Sequence, residues 1–340
     1  MSSIAKNGPH FIGIDLGGTN IKIGLVNNNH ETVDFQTIPT YVENGPDDAI
    51  QRMTETIFKV IDNAGFKKED IARVGLASAG TMDIPAGMLV RPSNLPGWNF
   101  CPIRDKLAKL SGFPVTFAND ATAGAYAEYS IGAGKGEQGL VVLTLGTGIG
   151  CGIILEGHPW DGCHSHGGES GHNLIDISES ARWCKCGQRG HFEAYASATG
   201  VANRTIEMVN AELKTSLAER VRNAERRDMV PKFVFEEAEK GDKVALDIVD
   251  ETARFLAYGM VSLTHTLDPS CFLIGGACTF GGAKTETGRR FLKKTTEELG
   301  SRIFLHLKER LRIDFAALGN EAGYLGAAGL ARQDWENLKP

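Results

Sequence analysis

His172, Cys184, Cys186 and His191 lie within one short stretch and offer two imidazoles and two thiols. That is the donor set one tetrahedral Zn²⁺ prefers, at about 2.0 to 2.3 Å. Glu169 and Glu193 bracket the four, and glycines between them allow tight turns. A metal held there would pin Glu169, His172 and Glu193 against one another, and a row of fixed acceptors suits a polyhydroxylated ligand such as a sugar. The plainer alternative is a reduced thiol pair beside solvated histidines; four ligands in so short a run favour the metal. His164 and His166 come just before, beside Gly167 and Gly168. They read as solvated loop residues, with either one a fallback ligand for His191.

A second group of candidates opens the chain. Phe11 to Val26 reads as two apolar strands joined at Gly17, Gly18, Thr19 and Asn20, a hairpin by spacing and turn chemistry. Gly17 and Gly18 lack the Cβ atoms that would keep a ligand off the backbone, so the N–H groups of Gly18, Thr19 and Asn20 can face a phosphate. Alone, such a hairpin is also simply a turn. Asp15 shifts the balance, because a carboxylate beside a phosphate cradle is where Mg²⁺ is held; Lys22 joins this set.

The pattern returns about 130 residues later. Leu140 to Leu155 again gives two apolar strands around Gly146, Thr147 and Gly148. The repeat suggests a duplicated core whose glycine turns face each other across a cleft. Cys271 to Ala277 is a buried strand meeting Gly275 and Gly276, which offer either a flat surface for an adenine or a plain strand-end turn. No G-x-x-x-x-G-K-[ST] run occurs, so a P-loop is excluded, and the glycine spacings make no dinucleotide fingerprint.

Between the two hairpins, Pro114 to Glu128 reads as a strand feeding a helix rich in Ala and Gly, with Asp120 in the first turn. Asn119-Asp120 at a helix start has the form of a cap. The small residues behind it let the helix lie close to its neighbours and turn Asp120 toward the cleft. Gly80 follows the apolar strand 71–77, at the carboxyl edge where ligands of open α/β sheets collect. Asn94, in the irregular loop 91–98, offers a hydroxyl both a donor and an acceptor. Trp98 reads as a packing residue rather than a sugar platform.

The rest of the chain must position these groups. Apolar residues from Asp47 to Ala64 recur at helical spacing and stop at Gly65, and Lys243 to Leu267 is a long amphipathic helix ending at Asp268-Pro269. Residues 198–240 read as polar and helical, without chemistry, and residues 321–332 as a small-residue helix returning to the first domain. At 340 residues the chain exceeds what one core usually supports, so two domains are expected. The boundary falls in the flexible connection 131–139: residues 1–131 with 319–340 form a small α/β domain, and 132–318 a larger one carrying the metal loop. A net charge of −6 without a basic stripe argues against a nucleic-acid surface. No apolar run reaches membrane length, and a polar N-terminus implies a cytoplasmic protein. Seven cysteines without an export signal fit burial or metal ligation better than disulfides; Cys101, Cys151, Cys271 and Cys278 read as packing residues.

The chain resembles the ROK family of sugar kinases and repressors (repressor, open reading frame, kinase). Glu169-Ser-Gly-His172 and Cys184 through Glu193 are similar to the family's E-x-G-H and C-x-C-G-x-x-G-C-x-E, with His191 where a third Cys is usual. Asn119 to Glu128 is similar to N-D-x-x-x-x-A-x-x-E. Residues 78–83 and 91–98 are similar to G-x-P-G-x-V-D and P-N-L-x-G-W, with Ala79 and Ser93 replacing prolines. The resemblance implies a two-domain actin/hexokinase/Hsp70-like ATPase fold of duplicated ribonuclease H-like domains around an interdomain cleft, and a homodimer. It implies an ATP-dependent hexose kinase using Mg²⁺ and a structural Zn²⁺, most simply a glucokinase acting on the 6-hydroxyl. Asp120 would then be the catalytic base, and Gly80, Asn94, Asn119, Glu169, His172 and Glu193 the sugar contacts. Asp15, Gly17 to Asn20, Lys22, Gly146 to Gly148, Gly275 and Gly276 would serve the nucleotide. An N-acetylmannosamine or N-acetylglucosamine kinase is the alternative within the family. A sugar-responsive regulator is the alternative outside catalysis; the ten residues ahead of Phe11 are too few for the repressors' helix-turn-helix.

Overall fold

The computed structural model of the chain describes residues 8–339. In chain order it runs β1 (His10–Leu16), β2 (Asn20–Val26), β3 (Thr32–Pro39), α1 (Pro46–Asn63), β4 (Ile71–Ser78), β5 (Thr81–Asp83), β6 (Met88–Arg91), α2 (Ile103–Ser111), β7 (Val115–Asn119) and α3 (Asp120–Ser130). It continues with β8 (Gly139–Leu145), β9 (Ile149–Leu155), β10 (His158–Pro159), α4 (Glu193–Ala196), α5 (Ala198–Asn210), α6 (Leu217–Arg222), α7 (Val230–Glu239) and α8 (Lys243–Leu267). It closes with β11 (Cys271–Gly275), α9 (Glu286–Gly300), α10 (Leu305–Lys308), β12 (Arg312–Phe315) and α11 (Ala322–Asn337).

The chain divides into two compact units. One takes the chain up to Gly136, Gly152–Gly168 and everything from Leu318; the other takes Glu137–Cys151 and Glu169–Ala317. This grouping puts Gly152–Gly168 with the first unit, where the sequence reading ran it with the second. One sheet has the order β3-β2-β1-β4-β7 and the other β10-β9-β8-β11-β12. Each therefore places its third, second, first, fourth and fifth strands side by side, the repeat that the two glycine hairpins anticipate. No helix of the described residues is long and apolar enough to cross a membrane.

In the first unit the apolar face of α1, Ala49, Ile50, Met53, Ile57, Val60 and Ile61, joins Ile12, Ile14, Leu16, Ile21, Ile23 and Leu25 in one core. Pro46 presets the first turn of that helix, where Asp47 and Asp48 complement the positive end of its dipole. On another face, α11 lies directly on backbone: a Cβ on Gly75 would meet the carbonyl of Ala327 at 1.9 Å, and one on Gly326 that of Ala123 at 1.7 Å. Only glycine permits such an approach. Gly326→Ala is expected to cost more than about 3 kcal/mol, since neither helix can yield without leaving its neighbours; urea unfolding of the variant measures this.

His10 introduces an acid sensitivity. It is 2% exposed and tilts against Phe66 with ring centroids 4.2 Å apart, and neither ring nitrogen meets a hydrogen-bond partner among the described residues. Burial holds its pKa below the ordinary value, against the opposing charge of Asp70. The unfolded chain therefore takes up this proton first as pH falls, so the stability His10 allows is complete above about pH 6.5 and drains below it, by up to about 1.4 kcal/mol per pH unit. Denaturant midpoints at pH 7.5 and 5.5 should diverge less for His10→Leu than for the parent chain.

The 25-residue α8 spans Lys243–Leu267, as its periodicity predicts. Asp242 caps it through the N–H of Ala245, and Asp268, left-handed at φ 46°, ends it. The connection read as flexible is instead turned back onto α3. The buried carboxylate of Glu128 accepts from Ala133 N at 2.9 Å and from Leu318 N at 2.7 Å, and Gly134 N reaches the Glu128 carbonyl at 2.9 Å.

Candidate functional site

Two clusters of candidate residues form, one in each unit. The first gathers at the carboxyl ends of the parallel strands β1, β4 and β7. Asp15 lies level with Ala77, and Ser78 with Asn119, so the first glycine hairpin, the loop of Gly80 and the start of α3 share one edge. The turn is closed by Gly17 N to Asn20 O at 3.0 Å and tied to Thr40, whose hydroxyl donates to Gly17 O at 2.7 Å. A Cβ on Gly18 would stand 2.7 Å from the carbonyl of Asn94, and one on Gly80, at φ +99°, 2.6 Å from Pro92. The missing side chains thus serve the chain's own packing: Gly18 seats the Asn94 loop against the hairpin. Lys22 Nζ reaches Asp15 Oδ2 at 3.3 Å and the carbonyl of Asn320 at 2.9 Å. Trp98 is 1% exposed and donates its indole N–H to Val42 O at 3.1 Å, so it belongs to the core.

The start of α3 divides its labour between two residues. Asn119 is the cap, its Oδ1 accepting from Ala121 N at 2.8 Å and from Thr122 N at 3.4 Å. Asp120 follows as the first residue of the helix, so the capping that its position suggested falls to its neighbour.

The second cluster is built on β8, β9 and the loop that leads to α4. Gly146 N donates to Gly148 O at 3.0 Å, and Ala198 N at the start of α5 donates to Gly146 O at 2.9 Å. A Cβ on Gly148 would meet Glu193 Oε2 at 2.4 Å, and one on Gly171 would lie 3.5 Å from the same oxygen. Glu193 is therefore lodged where two glycines leave room, with its Oε1 3.0 Å from Cys184 Sγ. Glu169 and His172 sit at the two ends of a single helical turn, with His172 Nε2 3.8 Å from Glu169 Oε2. Gly276, at φ 90°, would bring a Cβ within 2.5 Å of the Leu145 carbonyl, so the glycine pair after β11 accommodates the neighbouring strand end.

His172, Cys184, Cys186 and His191 converge, one donor atom from each lying within 4.8 Å of the others. His172 Nδ1 and His191 Nδ1 are 3.3 Å apart, Cys186 Sγ and His191 Nδ1 3.2 Å, and Cys184 Sγ and His172 Nδ1 3.7 Å. Donors at zinc bond lengths on a tetrahedron stand about 3.3 to 3.8 Å apart, close to these three pairs, while the set as a whole reaches 4.8 Å; it fits Zn²⁺ in chemistry and would close slightly around the ion. Local turns shape it: Gly187, at φ 87°, returns the chain through Gly187 N to Cys184 O at 3.1 Å, and Cys184 N bonds Gln188 O at 2.8 Å. Burial pushes the Cys184 thiol up to about 12, with Glu193 adding to the shift; burial and the facing His172 hold His191 below the ordinary imidazole value. His164 and His166 are exposed and belong to the first unit.

Some contributors carry no sequence signal. Tyr195 clasps the loop from behind, donating to Asp176 Oδ2 at 2.6 Å and accepting from Arg182 N at 2.8 Å. Arg204, 4% exposed, bridges the carbonyl of Tyr195 and the hydroxyl of Thr252. Beside Thr147 a cavity of about 420 Å³ opens between Trp183, Thr199, Asn203, Arg227 and Pro231.

Comparison with known proteins agrees with this geometry. The ROK family matches residues 11–334. A glucokinase of Thermotoga maritima is 33% identical over 324 residues, covering 95% of this chain and 97% of that protein. The ROK hexokinase of Thermus thermophilus superposes with a TM-score of 0.80 at 28% identity, over 96% of this chain and 99% of the other. The ROK family glucokinase of Streptomyces griseus, solved with glucose and AMPPNP, gives 0.73 at 29% identity over 95% and 99%. The two α/β sheets are those of the actin/hexokinase-like ATPase fold. With the family's motifs in order and its fold in both units, this chain belongs to the ROK family.

Proposed function

We propose that the chain is an ATP-dependent hexose kinase, a glucokinase that phosphorylates the 6-hydroxyl of glucose in the cytoplasm. The observation that carries this reading is the fixed set Glu169, His172 and Glu193 on a four-ligand metal loop, in a chain akin over nearly its whole length to a glucokinase. The glucose and AMPPNP held by the Streptomyces griseus protein support hexose and ATP as the substrates.

Asp120 accepts the hydroxyl proton while the γ-phosphoryl is transferred in line. The barrier falls through positioning and charge stabilisation, because phosphoryl transfer asks little covalent chemistry of the protein. Asn119, by holding the first turn of α3, fixes the backbone from which Asp120 projects. The backbone N–H groups of Gly18 to Asn20 and Gly146 to Gly148, with Lys22, receive the phosphates; Gly275 and Gly276 carry the adenosine. Asp15 would hold Mg²⁺ beside the phosphates, and the ion would supply charge neutralisation there. Gly80 and Asn94 complete the sugar contacts.

His172, Cys184, Cys186 and His191 would hold Zn²⁺ as a structural ion, since four protein ligands would leave it no open position. His172 directs Nδ1 into the ligand set and Nε2 toward Glu169. Ligation at Nδ1 puts the ring proton on Nε2, which makes that nitrogen a donor for a sugar hydroxyl. Glu193 and Glu169 accept on either side. The family resemblance extends to a homodimer, which light scattering of the purified protein checks.

The deciding experiment is a coupled assay of ADP release across glucose, mannose, fructose and the N-acetylhexosamines. Glucose is expected to show the highest kcat/KM. A clear preference for N-acetylmannosamine would move the chain to its alternative within the family, and glucose binding without turnover on any sugar would make it a regulator.

A further inference from the structure

We propose that Asp161 is a positioning residue for Asp120, holding the first turn of α3 through Thr122. The inference rests on Asp120 being the base, and it concerns a loop that no motif singles out. Asp161 Oδ1 accepts from Thr122 Oγ1 at 2.9 Å, and Thr122, 4% exposed, stands two residues beyond Asp120. The loop that carries Asp161 is itself anchored at three points. Trp160 N donates to Ile153 O at 2.8 Å, Gly167 N donates to the Asp161 carbonyl at 2.7 Å, and Ser165 Oγ accepts from Ile84 N at 2.9 Å. The neighbouring strand presses on the same turn: a Cβ on Gly152 would stand 2.3 Å from the Ala121 carbonyl. Asn119 secures the turn at its end, and Asp161 with Gly152 secures it from the side.

A packing role alone would not call for an acid here. Burial holds the Asp161 carboxyl above the ordinary carboxylate range, partly offset by the Thr122 hydroxyl, so the group is kept at a desolvation cost that an apolar residue would avoid. What the carboxylate adds is direction. It fixes the Thr122 hydroxyl and with it the roll of the turn, and a base displaced by an ångström loses about 10²-fold.

The test is kinetic. Asp161→Ala and Thr122→Val should each lower kcat by about 10- to 100-fold, with the glucose dissociation constant, measured calorimetrically, unchanged within about twofold. The double variant should be no worse than either single one, because both break the same link. Thr122→Ser and Asp161→Asn, which keep the donor and the acceptor, should recover at least about half the parent turnover. Folded Asp161→Ala enzyme with parental kcat would overturn the proposal, as would additive losses in the double variant or equal damage from Thr122→Ser and Thr122→Val. If instead Asp120→Asn keeps full turnover, the base assignment fails first and this inference with it.

Discussion

Asp120→Asn is expected to lower kcat by roughly 10² to 10⁴ while glucose binding changes little. The substitution keeps the size and shape of the side chain while removing its ability to take a proton, along with its negative charge in the first turn of α3. The helix should stay capped, because Asn119 Oδ1 serves Ala121 N and Thr122 N, and the bond that Asp120 Oδ1 accepts from Ala121 N at 2.9 Å can be kept by the Asn carbonyl oxygen. Single-turnover measurements isolate the chemical step, and calorimetry with glucose alone reports the binding side. A variant that turns over within about threefold of the parent would remove Asp120 from the mechanism, and the search for the base would move elsewhere along the same sheet edge.

The second large effect should come from the metal loop. Cys184→Ser is expected to bring zinc below stoichiometric content and to raise the KM for glucose by about 10- to 100-fold, with a smaller change in kcat. Cys184 is 6% exposed and touches Glu193, so its loss reaches the sugar-directed carboxylate twice, through the metal and directly. Cys186→Ser is the control. Its sulfur is exposed and lies against His191, so it should cost the same metal with a milder effect on KM. Binding a metal must also displace the thiol proton that burial retains up to about pH 12, so zinc uptake should release protons, which a pH-indicator titration counts. Purified protein that contains no zinc near one per chain, and binds glucose normally, would refute this assignment.

The sequence already held the elements built on strong local periodicity. Both glycine hairpins, α1, α8 and the convergence of His172, Cys184, Cys186 and His191 follow from spacing. The edge strand β3 did not, because its pattern is half-exposed and polar, and β5 and β6 are too short to show a period. Contacts between distant residues were equally hidden. Nothing about Gly18 in the sequence tells that its missing Cβ also makes room for the carbonyl of Asn94. Glu128 gives no hint that it accepts from Leu318, 190 positions away. The proline-free turn 131–139 looked loose because its restraints, the Glu128 carboxylate and carbonyl and the bonds of Glu137 to Ser270 and Arg312, lie with partners that its own composition does not reveal.

The placement of α11 bears on how the protein is made. This helix, which follows every other element in chain order, rests on the backbones of β1, β4 and α3. On the ribosome, the sheet of the first unit must therefore wait with one face bare until α11 has been made. The other unit is complete by Ala317 and can settle beforehand. Nascent chains halted before Ala322 should accordingly recruit chaperones, and a cut that deletes the final helix should leave an insoluble remnant rather than a smaller enzyme.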